Sequence, residues 1–169
     1  FFFKQKTAYE IPKRDWSSDV CSSDLAAGRC MNNMNGWTVP MAPNRLAGKL
    51  EFLRRYKFTL ALENMIWPGY MTEKLVDPMY AHSIPIYLGD PKARDSFNAE
   101  SYIDGNNFAG PQELLDYVKD VDNNPALYLK MLAAPFYKNN EIPAYARDEN
   151  ILAFFDNIFS EALRRRGGA

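Results

Sequence analysis

Histidine and cysteine are nearly absent from this chain: among its 169 residues His82 is the only histidine, and Cys21 and Cys30 are the only cysteines. A disulfide framework, a paired-cysteine zinc site and any centre needing two histidine ligands are thereby excluded as organising features. A surplus of one charge is missing too. The 20 Lys+Arg and 21 Asp+Glu give a net charge of −1 and are mixed along the chain, so there is no basic stripe of the kind that binds nucleic acid. No apolar run approaches the roughly 18 to 20 residues that span a bilayer. Neither of the glycine fingerprints that cradle ATP or dinucleotides occurs, which disfavours those ligands. What remains is a chain that is 47% apolar, long enough for one domain with its own core and too short for two.

The first 25 residues, FFFKQKTAYEIPKRDWSSDVCSSDL, keep neither a helical nor a strand period, and they lack the basic start, apolar centre and cleavage site of a signal peptide. Val20 to Leu25 reads back into DNA as GTG TGC TCT TCC GAT CT, which resembles the end of a sequencing adapter translated in frame. Residues 1–25 are therefore expected to be a disordered, non-native segment, with residues 26–169 a fragment that begins abruptly near Ala26. Removing the segment takes away four basic and four acidic residues and leaves the net charge unchanged.

Beyond Ala26 the Asn-, Gly- and Pro-rich stretch up to Arg45 reads as loop. LAGKLEFLRRY (46–56) predicts a short helix with Leu46, Leu50 and Leu53 on one face. KFTLAL (57–62) places Phe58, Leu60 and Leu62 on one side of a buried strand and Thr59 and Ala61 on the other. TEKLVDPMYAHS (72–83) predicts a helix, and IPIYL (84–88) a second strand, parallel to the first because a helix joins them. SYI (101–103) suggests a third strand. PQELLDYVKDV (111–121), with Leu114, Leu115, Val118 and Val121 inward, PALYLKMLA from Pro125, and DENILAFFDNIFSEALRRR predict three further helices. The last carries Ile151, Leu152, Phe155, Ile158, Phe159 and Leu163 on one face. The whole is an α/β layered domain.

ENMIWPGYMTEK (63–74) leaves the carboxyl end of the first strand, where open parallel sheets collect their ligands. It enters a helix with Thr72 typed for the N-cap, and the free N–H groups of a helix start bind anions. Glu73 suits the helix dipole, whereas Lys74 opposes it. An anion at the helix terminus would make sense of the lysine, and a diphosphate fits. Tyr70 could then offer a hydroxyl or a stacking face, Asn64 an amide and Glu73 an acceptor for sugar hydroxyls. The same residues also fit a solvated turn with Tyr70 half in the core, and the residues alone leave both readings open.

The run from Tyr56 to Pro91 resembles the signature of glycosyltransferase family 10, the α1,3/4-fucosyltransferases, with its Tyr56-Lys57-Phe58, Glu63-Asn64, Tyr70-Met71-Thr72-Glu73-Lys74 and Ile84-Pro85-Ile86-Tyr87-Leu88-Gly89 segments. The resemblance implies the Rossmann-like C-terminal domain of a GT-B glycosyltransferase, a parallel sheet flanked by helices. It further implies transfer of fucose from GDP-fucose, with inversion, to the 3-hydroxyl of GlcNAc or Glc in an acceptor glycan such as a lipopolysaccharide-type oligosaccharide. Residues 26–169 would supply the donor site, with Lys74 on the diphosphate and Asn64, Tyr70 and Glu73 on ribose, phosphate or fucose. No metal or other cofactor is implied. The general base, a carboxylate, and an assisting arginine would lie in an N-terminal acceptor domain upstream of Ala26. The implied setting is cytoplasmic with peripheral membrane contact for a bacterial member, or the Golgi membrane for a eukaryotic one. The competing class is a non-catalytic nucleotide-sugar or protein-binding module.

Leu62 stands where the family has Phe, and Pro78 falls inside the proposed helix, predicting a kink or an early end. Trp67 is expected to pack over the sheet edge rather than on a base. Asp120-Val-Asp122 has the form of a metal-binding triplet, but Val121 continues an apolar helix face, which points to a structural role. His82 reads as a helix-end histidine, Cys30 as an inert thiol, and Arg164-Arg165-Arg166 as a solvated tail, with contact to anionic lipid as the alternative. A chain lacking a partner domain would also expose an apolar interdomain face.

Overall fold

The computed structural model describes residues 2–4, 24–25, 35 and 45–167. Cys21, Cys30 and most of the stretch before Arg45 lie outside the described residues. Within the first 25, Phe2–Lys4 (β1) and Asp24–Leu25 (β2) are short strands, paired antiparallel with each other. The sheet order is β2-β1-β3-β4-β5, with β3 Tyr56–Leu62, β4 Ile84–Leu88 and β5 Ile103–Asp104. β1 runs antiparallel to β3, whereas β3, β4 and β5 are mutually parallel, as the helical crossover predicts. The third strand falls on Ile103–Asp104, at the end of the SYI run and one residue past it, with Ser101 and Tyr102 buried just before it.

Strand alternation sorts the core into two layers. Phe58 and Leu60 join Ile84, Ile86 and Ile103 under two helices, α3 (Pro111–Asn123) and α4 (Pro125–Ala133), which contribute Val118, Val121, Tyr128 and Met131. Ala61, Tyr87 and Tyr102 face the other way, onto Leu75 and Met79 of α2 (Glu73–Tyr80) and onto Ala93 and Phe97. Leu62 leaves this pattern and is exposed, because it ends the strand. α1 (Arg45–Leu53) adds Phe52 and Leu53 to a smaller cluster with Tyr56 and Ala81; Leu46, expected on its apolar face, is exposed.

Local chemistry explains the ends. α4 starts with Pro125 at its first position and Asn124 as N-cap, whose side chain accepts from the Leu127 N–H. α2 is shorter than the 72–83 expected: Pro78 stands in its last turn, and the chain then closes in a Schellman arrangement. The Ser83 N–H donates to the Pro78 carbonyl at 2.9 Å and the His82 N–H to that of Met79 at 3.1 Å. His82 occupies the position where glycine is usual, with φ +55, and it is solvent-exposed. A fifth helix, α5 (Asp148–Gly167), forms over the predicted span, but its apolar face is uncovered: Ile151, Leu152, Phe155, Ile158, Phe159 and Leu163 are 40 to 69% exposed.

Candidate functional site

The loop between β3 and α2 is built on two fixed points. At its middle, Trp67-Pro68-Gly69-Tyr70 forms a turn closed by a bond from the Tyr70 N–H to the Trp67 carbonyl at 3.0 Å. Pro68 presets the second position and Gly69, at φ +84, supplies the left-handed third, the pattern of a type II turn. Trp67 does not pack over the sheet edge as expected. It is 67% exposed, with Met65 and Ile66 also exposed beside it, because the turn carries the loop away from the core.

The second fixed point is a hydrogen-bonded cluster at the start of α2. Thr72 is the N-cap, as its type predicts, and its hydroxyl accepts from the Lys74 N–H at 3.4 Å. The Thr72 N–H donates to Glu63 Oε1 at 2.7 Å, and the Thr72 hydroxyl lies 2.8 Å from Glu63 Oε2. Lys74 Nζ donates to Glu63 Oε2 and to Thr72 Oγ1, both at 3.3 Å. The lysine that opposes the helix dipole thus has an internal counter-charge in Glu63, whose side chain is 0% exposed against 30% for Lys74.

Of the residues proposed from sequence, Lys74 and Glu73 share the first turn of α2 but diverge. Lys74 turns to Glu63. Glu73 is exposed, and its carboxylate comes within 3.9 Å of Lys49, which itself holds Asp77 at 2.7 Å and so ties α1 to α2. Desolvation pushes the Glu73 carboxyl up, but its own backbone N–H, Lys49, Lys74 and the Thr72 hydroxyl together outweigh it and hold the group below its usual value. Asn64 is exposed and Tyr70 half-buried on the same loop, outside the Glu63–Thr72–Lys74 cluster. Glu63 is the participant that sequence reasoning passed over as a motif letter. Its only trace was Gly89: a Cβ there would collide with Glu63 Cγ and with the Tyr87 phenol.

Around the cluster, the carboxyl edge is polar and firmly bonded. The Tyr87 hydroxyl accepts from the Asp90 N–H at 3.0 Å. Burial first, then the Glu63, Asp90 and Asp104 carboxylates, push the Tyr87 phenol up to about 12 against the lowering effect of the Asp90 N–H. Asp104 accepts from Arg94 at 3.4 Å and from Asn106. The Asp120-Val-Asp122 triplet lies elsewhere: Asp122 pairs with Lys57 at 2.7 Å, Lys57 sits over the Tyr128 ring, and Val121 is fully buried. Among the described residues no group of three or more His, Cys, Asp or Glu is placed to hold a metal ion. In the C-terminal cluster, Arg165 pairs with Glu161 at 2.6 Å along α5 and Arg164 bonds the Ser160 carbonyl.

A lysine and a capped helix start at the carboxyl edge of a parallel sheet is the arrangement with which open α/β domains hold phosphorylated nucleotides. The family described as glycosyltransferase family 10 (fucosyltransferase), C-terminal, matches residues 24–141, and the chain belongs to it. Its fold is the Rossmann-like C-terminal domain of a GT-B glycosyltransferase. The chain is 35% identical over 176 residues to an Acanthamoeba polyphaga mimivirus protein named as a fucosyltransferase, across 95% of this chain and 29% of that one. It is 38% identical over 144 residues to an α-(1,3)-fucosyltransferase of Helicobacter pylori, across 79% and 27%. A crystal structure of an α1,3-fucosyltransferase with GDP-fucose matches with a TM-score of 0.66 at 33% identity, over 83% of this chain and 40% of that one. The chain therefore spans less than half the length of each of these relatives.

Proposed function

We propose that this chain supplies the GDP-fucose site of an inverting α1,3-fucosyltransferase that transfers fucose to the 3-hydroxyl of GlcNAc or Glc in an acceptor glycan. The observation that carries the reading is the likeness, over 83% of the chain, to a fucosyltransferase structure holding GDP-fucose. The site geometry supports it. Lys74, at the start of α2, faces the diphosphate and offsets the charge that develops on GDP as its bond to fucose breaks. The free N–H groups of the first helical turn add to the same effect. On this reading Glu73, at the start of α2, and Tyr70 and Asn64, on the loop before it, offer an acceptor, a phenol and an amide to ribose and fucose hydroxyls. On this reading the carboxylate that deprotonates the acceptor belongs to the acceptor domain, and this chain alone binds the donor without turning it over.

Calorimetric titration of the 169-residue chain with GDP tests the assignment. Saturable binding is expected, weakened in Lys74→Ala by the roughly 1.5 to 3 kcal/mol of a charge-assisted contact. A folded chain that takes up no GDP would refute it.

A further inference from the structure

We infer that Glu63 is a positioning residue for the donor diphosphate: its buried carboxylate holds the Lys74 ammonium in place at the first turn of α2. The inference rests on the GDP-fucose reading above and assigns to that site a residue that never touches the ligand.

A carboxylate with no exposure requires compensation, because an unpaired buried charge is strongly unfavourable. Glu63 obtains it from the Thr72 N–H at 2.7 Å, the Thr72 hydroxyl at 2.8 Å and Lys74 Nζ at 3.3 Å. The Thr72 hydroxyl has one proton to give. Donated to Glu63, it leaves the oxygen lone pairs free to accept from the Lys74 N–H at 3.4 Å and from Lys74 Nζ at 3.3 Å. The ammonium is then held at two points, on Glu63 and on Thr72. Its third N–H is assigned no acceptor among the described residues, and the side chain retains 30% exposure. A lysine stem left to itself samples many rotamers; held this way, it presents one donor outward before any ligand arrives.

Gly89 supplies the independent observation. The Glu63 stem lies over it so closely that any Cβ at 89 would overlap Glu63 Cγ. The Glu63 N–H meanwhile extends the parallel ladder by donating to the Leu88 carbonyl at 2.9 Å. The carboxylate is therefore located by the sheet itself rather than by the rest of the loop.

Titrations with GDP and with GMP, which lacks the outer phosphate, separate holding the lysine from holding the turn. Glu63→Gln keeps the shape and an acceptor for the Thr72 N–H but removes the ion pair. It is expected to weaken GDP by about tenfold, the scale of one charge-assisted bond, while GMP changes by less than about twofold, within the scatter of such comparisons. In a Lys74→Met background, adding Glu63→Gln should leave GDP affinity unchanged. Thr72→Val, which removes the second hold on Lys74 Nζ, should lower GDP affinity in the same selective way and carries the test if Glu63→Gln does not fold. Equal losses for GDP and GMP, or the same loss with and without Lys74, would overturn the inference alone. Failure of the unaltered chain to bind GDP, or indifference of GDP to Lys74→Met, would instead overturn the reading on which it rests.

Discussion

α2 and α5 are both amphipathic helices, and they end in opposite surroundings. α2 is eight residues long, yet Leu75, Asp77, Pro78 and Met79 are buried, its N-cap is engaged and its last turn closes in a Schellman motif. α5 is 20 residues long, begins with two acidic residues suited to its dipole, and leaves its apolar face uncovered by any described residue. Its internal support is local: stacking of Phe155 with Phe159, the Glu161–Arg165 pair, and the Asn150 amide on the Ala144 carbonyl. The difference teaches that apolar periodicity reports a face and says nothing of what covers it. The shorter helix belongs to the sheet because β3 and β4 flank it in sequence and bind it at both ends; the longer one follows the last sheet strand and has no such constraint.

The comparison breaks most readily in the core. Leu75, a residue of the first turn of α2 with no exposure, packed in the cluster of Ala61, Tyr87 and Tyr102, should destabilise the chain by about 2 to 5 kcal/mol as Leu75→Ala, measured by urea unfolding. A smaller loss would mean that burial of this residue does not hold α2 to the sheet. Alkaline titration sharpens the same contrast, since α5 contains no tyrosine. The Tyr87 phenol is raised to about 12 in the fold, above the unfolded value of about 10. Its contribution is therefore intact below pH 10, declines as the pH rises from there, and is lost above about 12. Tyr87 should account for a fall in unfolding midpoint on the order of 2 to 3 kcal/mol in equivalent stability across that window, and Tyr87→Phe should make the profile shallower, the other raised phenols of Tyr56, Tyr102 and Tyr137 supplying the slope that remains. A midpoint that holds steady through pH 12 in the unaltered chain contradicts the burial of this phenol.

His82→Gly comes next in size. Relief of a non-glycine residue at φ +55 should add up to about 1 kcal/mol, read as a raised melting temperature. A drop would show that the imidazole has an interaction worth more than the strain. Smallest is Phe159→Ser: a side chain already 63% exposed should change the stability of the chain by no more than about 0.5 kcal/mol. A loss above about twice that would show the α5 face to be covered in solution.

Much of the fold was legible because it rests on periods. Phe58 and Leu60 against Thr59 and Ala61, Val118 and Val121 within α3, and Thr72 and Pro125 at helix starts all follow from local rules that the tertiary structure obeys. The candidate site was legible only in part. Lys74 broke a local rule and so attracted notice, but its partner did not: a glutamate just past a strand looks the same in sequence whether it meets solvent or lies buried. Glu63 became identifiable once Gly89 was brought beside it by strand pairing, a relation that sequence distance hides. Trp67 was misplaced because aromatic area suggests burial, whereas the Pro68-Gly69 turn dictates where the ring goes. The pairing of Asp122 with Lys57 illustrates the reverse case, in which a metal-like spacing dissolves into an ordinary ion pair.

The two closed ends of α2 make it a gauge of fixed length. Thr72 and Glu63 bar it from growing upstream, while Pro78, Ala81 and His82 shape its stop, so the helix spans about 12 Å at 1.5 Å per residue. One end is stitched to β3 and the other runs directly into β4. The distance from the buried start of β4 to the ammonium at the opposite edge of the sheet is thereby set in units of whole residues. An insertion or deletion of a single residue in α2 would rotate Lys74 by roughly 100° about the helix axis, and substitutions alone could not restore its aim.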